Sequence, residues 1–272
     1  MSAAPHVLSG SALTCIMAFA LVCMEARAEE ISPGGSTIHR YENVVPDHST
    51  PEGEAIHLKD IEEQLKPLLG EGYVFHEIES TSVHLDVLVF PPRQERNRWT
   101  FVTSGMSDRA MSTPEGLDPA DYGFSELVIA LPGNWFTKDE KGMIPEAELG
   151  DWNRYWPVGT LKFLARFPHE YRTWLWEGHS VPNGAPAEPF SPNTKLDGVV
   201  LTPLHDWPEQ YRTVEASDGT RIGLFAVVPV YPDEMQAKLD LGFDVLMPAF
   251  AKAGVSEMVV ETRPSVAPGL PR

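Results

Sequence analysis

Two stretches constrain this fold more than any others: "HLDVLVFP" (84–91) and "SELVIALP" (125–132). Both are almost unbrokenly apolar. A strand with one wet face alternates apolar and polar residues, so runs of this kind read as central strands buried on both faces. Pro91-Pro92 ends the first and Pro132-Gly133 the second. Further strands are expected at "YVFHEIE" (73–79), "WTFVTSG" (99–105), "LDGVVLTP" (196–203), "YRTVEA" (211–216), "IGLFAVVPVY" (222–231) and "SEMVVE" (256–261). Ser217-Asp218-Gly219-Thr220 reads as a hairpin turn.

Helical periodicity surrounds these strands. Ile61, Leu65 and Leu68 or Leu69 recur at three-to-four spacing within 54–69, and Gly70 stops the run. A helix is expected over 152–167, interrupted by Pro168, with a second short one from His169 to Trp176. Met235, Leu239, Phe243, Leu246 and Phe250 fall on one stripe of a last helix, with Pro232 in its first turn and Gly254 at its stop. Pro248 should kink or shorten that helix. Strands with helices before, between and after them predict a mixed α/β (α+β) fold, a mixed sheet flanked by helices in one domain over 51–264. Residues 29–50 read as an irregular lead-in and 265–272 as a Pro-rich tail.

The first 28 residues differ from the rest. "ALTCIMAFALVCM" (12–24) is a thirteen-residue apolar run followed by Ala26-Arg27-Ala28. Such a run is too short to span a bilayer comfortably but suits a signal-peptide core with a small-x-small cleavage site. The leading "MSAAPH" has no Lys or Arg, which leaves a misplaced start open as the other reading. A cleaved leader implies a periplasmic or secreted protein without stable membrane insertion; without cleavage the expectation is cytoplasmic. Both cysteines, Cys15 and Cys23, lie in this segment. A chain starting at Glu29 would have no disulfide, no thiol nucleophile and no cysteine metal site.

Charge narrows the partners. The net charge is −18, and the leader's single acid (Glu25) and single base (Arg27) leave it unchanged. Residues 29–79 hold twelve acids against three bases. A field of this sign repels phosphate backbones and anionic lipid, and it speeds encounter with a basic protein.

The candidate chemistry centres on "FPHEYRTWLWEGHSVPNG" (167–184), which gathers His169, Glu170 and His179 among large aromatics. A helical zinc-protease site needs a second histidine four positions after the first, and Thr173 stands there. "TSGMSD" (103–108) lacks the glycine two residues after its serine that a nucleophile elbow requires; Arg109 occupies that place. No phosphate-cradling glycine loop occurs, and no acid pair is distinguished. No metal and no cofactor are therefore expected.

Several segments, in one order, resemble the suppressor of fused domain family, specifically its bacterial single-domain members. They are "HLDVLVFPP" (84–92), "TFVTSGMSDRAM" (100–111), "SELVIALP" with Trp135, "WPVGTLKFLARFPHEYRTWLWEGHSVPNG" (156–184), "EPFSPNTKLDGVVLTP" (188–203) and "IGLFAVVPVYPDEMQAKLDLGFDVLMPAFAKAGV" (222–255). The resemblance implies a mixed α/β fold and a protein-binding, non-enzymatic role. Animal members sequester a transcription factor, and bacterial ones resemble immunity proteins that neutralise a toxin by binding it. Animal members also clamp their peptide between this domain and a second one. Of the family's ligand-contacting positions, Ser107-Asp108 matches the Ser-Asp pair, Ala110 stands near a Tyr, and Asp118 aligns loosely with an Asp.

The resulting expectation is an acidic protein that binds and occludes a basic protein partner. Loops 104–122 and 178–192 should face that partner, through Ser107, Asp108, Arg109, Asp118, His179 and Asn183. The alternatives are a hydrolase built on His169, Glu170 and His179, or a structural envelope protein.

Overall fold

The computed structural model describes residues 30–41, 45–51, 54–77 and 81–271. The expected leader, 1–28, lies outside them. The first elements are β1 (Glu30–Ile31) and β2 (Thr37–Ile38), paired antiparallel. Helix α1 (Leu58–Leu69) leads to β3 (Tyr73–Phe75), β4 (Asp86–Phe90) and β5 (Arg98–Ser104). A 3-10 turn (Met106–Asp108) and α2 (Pro119–Tyr122) precede β6 (Ser125–Pro132). Next come α3 (Glu146–Leu149), α4 (Trp152–Glu170), β7 (Ser180–Pro182), β8 (Gly198–Pro203), β9 (Thr213–Glu215) and β10 (Arg221–Val230). Helices α5 (Pro232–Leu241) and α6 (Phe243–Ala253) complete the set.

The main sheet has eight strands in the order β3-β4-β5-β6-β10-β8-β7, with β9 continuing alongside β10. All its pairings are antiparallel except β6 with β10. The unbroken apolar runs have the cause expected of them. On β4, Val87 and Val89 pack beneath α4 with Trp156, Leu161 and Leu164. Leu88 and Phe90 face the other way, toward Ile61 and Leu65 of α1 and Leu246 and Phe250 of α6. The same alternation on β6 sends Leu127, Ile129 and Leu131 to the first face and Val128 to the second. Cutting a fully buried ring such as Trp156 to alanine costs about 3–5 kcal/mol in a site of this kind.

Three expectations change. Pro168 does not interrupt α4, which continues to Glu170, and no second helix follows. A proline near a helix end removes only one hydrogen bond, and Phe167, Pro168 and His169 are all buried there. The chain leaves the helix instead at Arg172, whose φ is +51°. The last helix is two helices, broken at Gly242 (φ +93°), while Pro248 sits inside α6. The break has a partner. Gly34 of the β1–β2 turn donates to the Leu239 carbonyl at 2.7 Å and packs so closely that a Cβ on it would lie 2.3 Å from the Gly242 nitrogen. Finally, the strand expected over 256–261 shrinks to one parallel bridge, Met258 to Ala130, on the edge of β6 that β10 leaves uncovered.

Candidate functional site

His169, Glu170 and His179 do not come together as a site. His169 is buried at the end of α4 and donates its Nε2–H to the Met106 carbonyl at 2.8 Å. Burial drives its pKa down to about 4. Glu170, next in sequence, turns toward the lead-in, 3.4 Å from the Thr81 hydroxyl and 3.9 Å from His48. His179 packs edge-on against Trp174 at 4.6 Å, with Nδ1 3.2 Å from both the Trp176 N–H and the Trp174 carbonyl. Burial lowers its pKa to about 4 as well. His169 thus ties the end of α4 to Met106, and His179 braces the chain around Trp174 and Trp176. Among the described residues no group of three His, Cys, Asp or Glu side chains is placed to hold a metal ion.

A different cluster forms around Ser107. Glu126, on the α1-facing side of β6, is fully buried. Its Oε1 accepts from the Gly105 N–H and the Ser107 N–H, each at 2.9 Å, and from the Ser107 hydroxyl at 2.7 Å. His57, 3% exposed just before α1, lies with Nδ1 3.1 Å from Ser107 Oγ and Nε2 3.2 Å from Asp218 Oδ2. Asp218 belongs to the β9–β10 hairpin turn, where Asp218 Oδ1 also accepts from Thr220 N–H. That bond, supported by His57, holds the Asp218 pKa down at about 2. Asp108 accepts from the Ile56 N–H at 3.1 Å and lies 3.9 Å from His57 Nδ1. Burial raises Asp108 to about 7, and burial also raises Glu126.

Ser107, His57 and Asp218 thus fall in the order of an acyl-transfer triad. Their setting differs in the respects that matter for chemistry. Ser107 is 0% exposed, and its hydroxyl is spent on Glu126. A nucleophile must reach a substrate carbonyl, and Ser107 offers no exposed surface in this structure. The four groups tie the start of α1, the Gly105–Asp108 turn, β6 and the β9–β10 turn into one polar joint.

The other expected contact residues are dispersed. Arg109 and Asp118 are exposed, and Asp118 caps α2 by accepting from the Ala120 N–H at 2.9 Å. Asn183 closes its own loop, donating Nδ2–H to the Glu188 carbonyl at 2.7 Å. The 104–122 loop touches the segment before His179: Ser112 N–H donates to the Thr173 carbonyl, and Trp174 Nε1–H to the Tyr122 carbonyl.

The sequence reading missed His57, Glu126 and Asp218 as partners of Ser107. Glu126 did carry a signal, since it is the one charge inside the run "SELVIALP". A carboxylate in a strand buried on both faces must find donors.

The outer surface holds features of another kind. Trp152 is 55% exposed and Phe163 46%, both on α4. With Tyr155 and Gly159 they follow helical spacing along one outward stripe. The Trp152 ring lies over Gly159, where a Cβ would meet it at 2.8 Å, and its Nε1–H donates to the Phe190 carbonyl at 3.1 Å. No helix among the described residues is long and apolar enough to cross a membrane.

Comparison with known proteins agrees with this architecture. No curated protein matches the chain. A suppressor of fused homologue from Neisseria gonorrhoeae FA 1090 superposes with a TM-score of 0.54 at 15% identity, over 77% of this chain and 96% of that one. A chain of the Sufu–Fu complex crystal structure gives 0.53 at 17%, over 79% of this chain and 93% of that one. Drosophila Suppressor of Fused gives 0.55 at 17%, over 80% of this chain but 52% of its own length, so this chain spans about half of it. The family profile described as "Suppressor of fused protein (SUFU)" matches residues 81–264, and the chain belongs to that family.

Proposed function

We propose that this protein is a non-catalytic binding protein whose acidic exterior engages and occludes a basic partner protein, as an immunity protein does a toxin. The observation that carries the reading is the placement of Ser107. Among the described residues the most enzyme-like constellation has its serine fully buried and bonded to Glu126, while Trp152, held by its bond to the Phe190 carbonyl, and Phe163 remain outside on α4. Exposed Trp and Phe held in place are the residue types that dominate protein interfaces. Membership in a family whose Sufu member is known in complex with Fu supports the partner class, and the net charge of −18 supports a basic one. If the leader is cleaved, the encounter takes place outside the cytoplasm.

The test is capture from the native host at low and high salt, with wild type and a Trp152→Ala, Phe163→Ala variant. A basic protein retained at low salt and released at high salt, and lost in the variant, is expected. A partner with no basic bias and no salt response would remove the electrostatic element. Turnover of a substrate by the pure protein, lost in His169→Ala, His179→Ala while the fold persists, would replace the reading with the hydrolase alternative.

A further inference from the structure

Where β8 leaves the edge of β10 and β9 takes over, the sheet carries a cavity of about 200 Å³. Its walls include the Trp176 and Phe225 rings, packed edge to face at 4.6 Å. Its floor is Gly223, where an added Cβ would stand 3.2 Å from Phe225 and 3.5 Å from Trp176. The Trp176 ring is fixed from other sides too, with Trp174 stacked at 6.1 Å and Tyr122 at 5.2 Å.

The charges at its rim are unevenly matched. Arg212 donates to the Trp207 and His205 carbonyls, and Arg221 pairs with Glu215 at 3.6 Å. Asp121 and Glu177 also line the cavity. Among the described residues neither carboxylate accepts a hydrogen bond or lies within 4.0 Å of a cationic side chain, although His205 stands near enough to Glu177 to act on it and Arg212 and Arg221 share the rim. Asp244 lies close enough to Glu177 to add to its negative field. Partial burial raises the Glu177 pKa, opposed by the pull of His205 and helped to a smaller extent by Asp244.

We propose that this cavity is an anchor site for a single arginine or lysine side chain of the partner, its cationic head between Glu177 and Asp121 and its stem against Trp176 and Phe225. Aromatic walls and two carboxylates with no ion pair within 4.0 Å suit a guanidinium or ammonium group, through cation–π attraction and charge-assisted hydrogen bonds, while Arg212 and Arg221 at the rim are held by the Trp207 and His205 carbonyls and by Glu215. The aromatic walls also suit the aliphatic stem of a long cationic side chain. The site rests on the basic-partner reading above and specifies where that partner is gripped.

The probe is acetyl-Gly-Arg-Gly-amide, with the citrulline peptide as its uncharged counterpart, titrated into the purified protein while the indole N–H signals are followed by NMR. Trp176→Phe identifies the Trp176 signal. A saturable shift of that signal with the arginine peptide is expected, weakened at least fivefold in Glu177→Gln, Asp121→Asn and absent with citrulline. Both acids are exposed, so the variant should fold, and its melting temperature checks this. No saturable shift, equal shifts with citrulline, or an unchanged response in the variant would each overturn the site. If the variant captures the same basic partner as strongly as wild type, the anchor falls and the basic-partner reading stands. If the probe saturates as expected while no basic protein is captured, the anchor stands and that reading falls.

Discussion

Glu126 holds Ser107 twice through one carboxylate oxygen, by its backbone N–H at 2.9 Å and its hydroxyl at 2.7 Å. The carboxylate is fully buried, so these bonds compete with no water. Glu126→Gln keeps the acceptor but sets an amide NH2 where Oε2 has no hydrogen-bond partner, and should cost about 1 kcal/mol. Glu126→Leu strands the donors of Gly105 and Ser107 and should cost on the order of 2–4 kcal/mol. Urea denaturation of the two variants checks the difference.

Asp108 should make the protein less stable as pH rises. Its folded pKa is about 7 against an ordinary 3.8, because burial disfavours the charge. The contribution of the neutral acid is full below about pH 3.8 and is lost as pH climbs through 7. Asp108→Asn should match wild type near pH 4 and exceed it at pH 8, on the order of 2 kcal/mol after allowing for partial exposure. Chemical denaturation at the two pH values decides it.

His169 works in the opposite sense. Burial holds its folded pKa at about 4, below the ordinary 6.5. As pH falls from 6.5 to 4 the unfolded chain takes up a proton that the folded chain refuses, and stability drops by on the order of 3 kcal/mol. His179 titrates in the same window for the same reason. A His169→Gln, His179→Gln variant should show a flatter stability profile between pH 6.5 and 4.

The β1–β2 turn docks on the α5–α6 break through Gly34 and through Lys238 Nζ, which donates to Ser36 Oγ at 2.9 Å. Any side chain on Gly34 meets the Gly242 backbone. Gly34→Val should detach the hairpin without unfolding the sheet. Hydrogen exchange should speed up at Gly34 and around Gly242, while core amides of β5 and β6 stay protected.

How far the sequence predicts this fold depends on the range of the interactions involved. Strands with unbroken apolar runs, such as Asp86–Phe90 and Ser125–Pro132, were legible because local pattern and burial agree. The failures share a cause. Pro168 is a helix breaker by local rule, yet it sits in a helix that tertiary packing holds together. At Gly242, which ends α5, Gly34 from about two hundred positions earlier packs against the backbone, and no local pattern records that contact. The Ser107 joint was half legible. Ser107 and Asp108 stood out by resemblance, and Glu126 by its charge in an apolar strand. His57 and Asp218 join only once α1 and the β9–β10 turn are brought to the same side of the sheet.

The sheet is two antiparallel sets, β3 to β6 and β7 to β10, each nearly continuous in the chain and joined along one short parallel ladder, Ser125–Val128 with Gly223–Ala226. Local hairpins close quickly, while a ladder between distant segments waits for a long loop to be ordered. That parallel ladder, closed over about a hundred residues, is therefore expected to be among the last contacts of the sheet to form. The His57 side chain, held between Ser107 of the first set and Asp218 of the second, is the clasp that fastens when that ladder is complete.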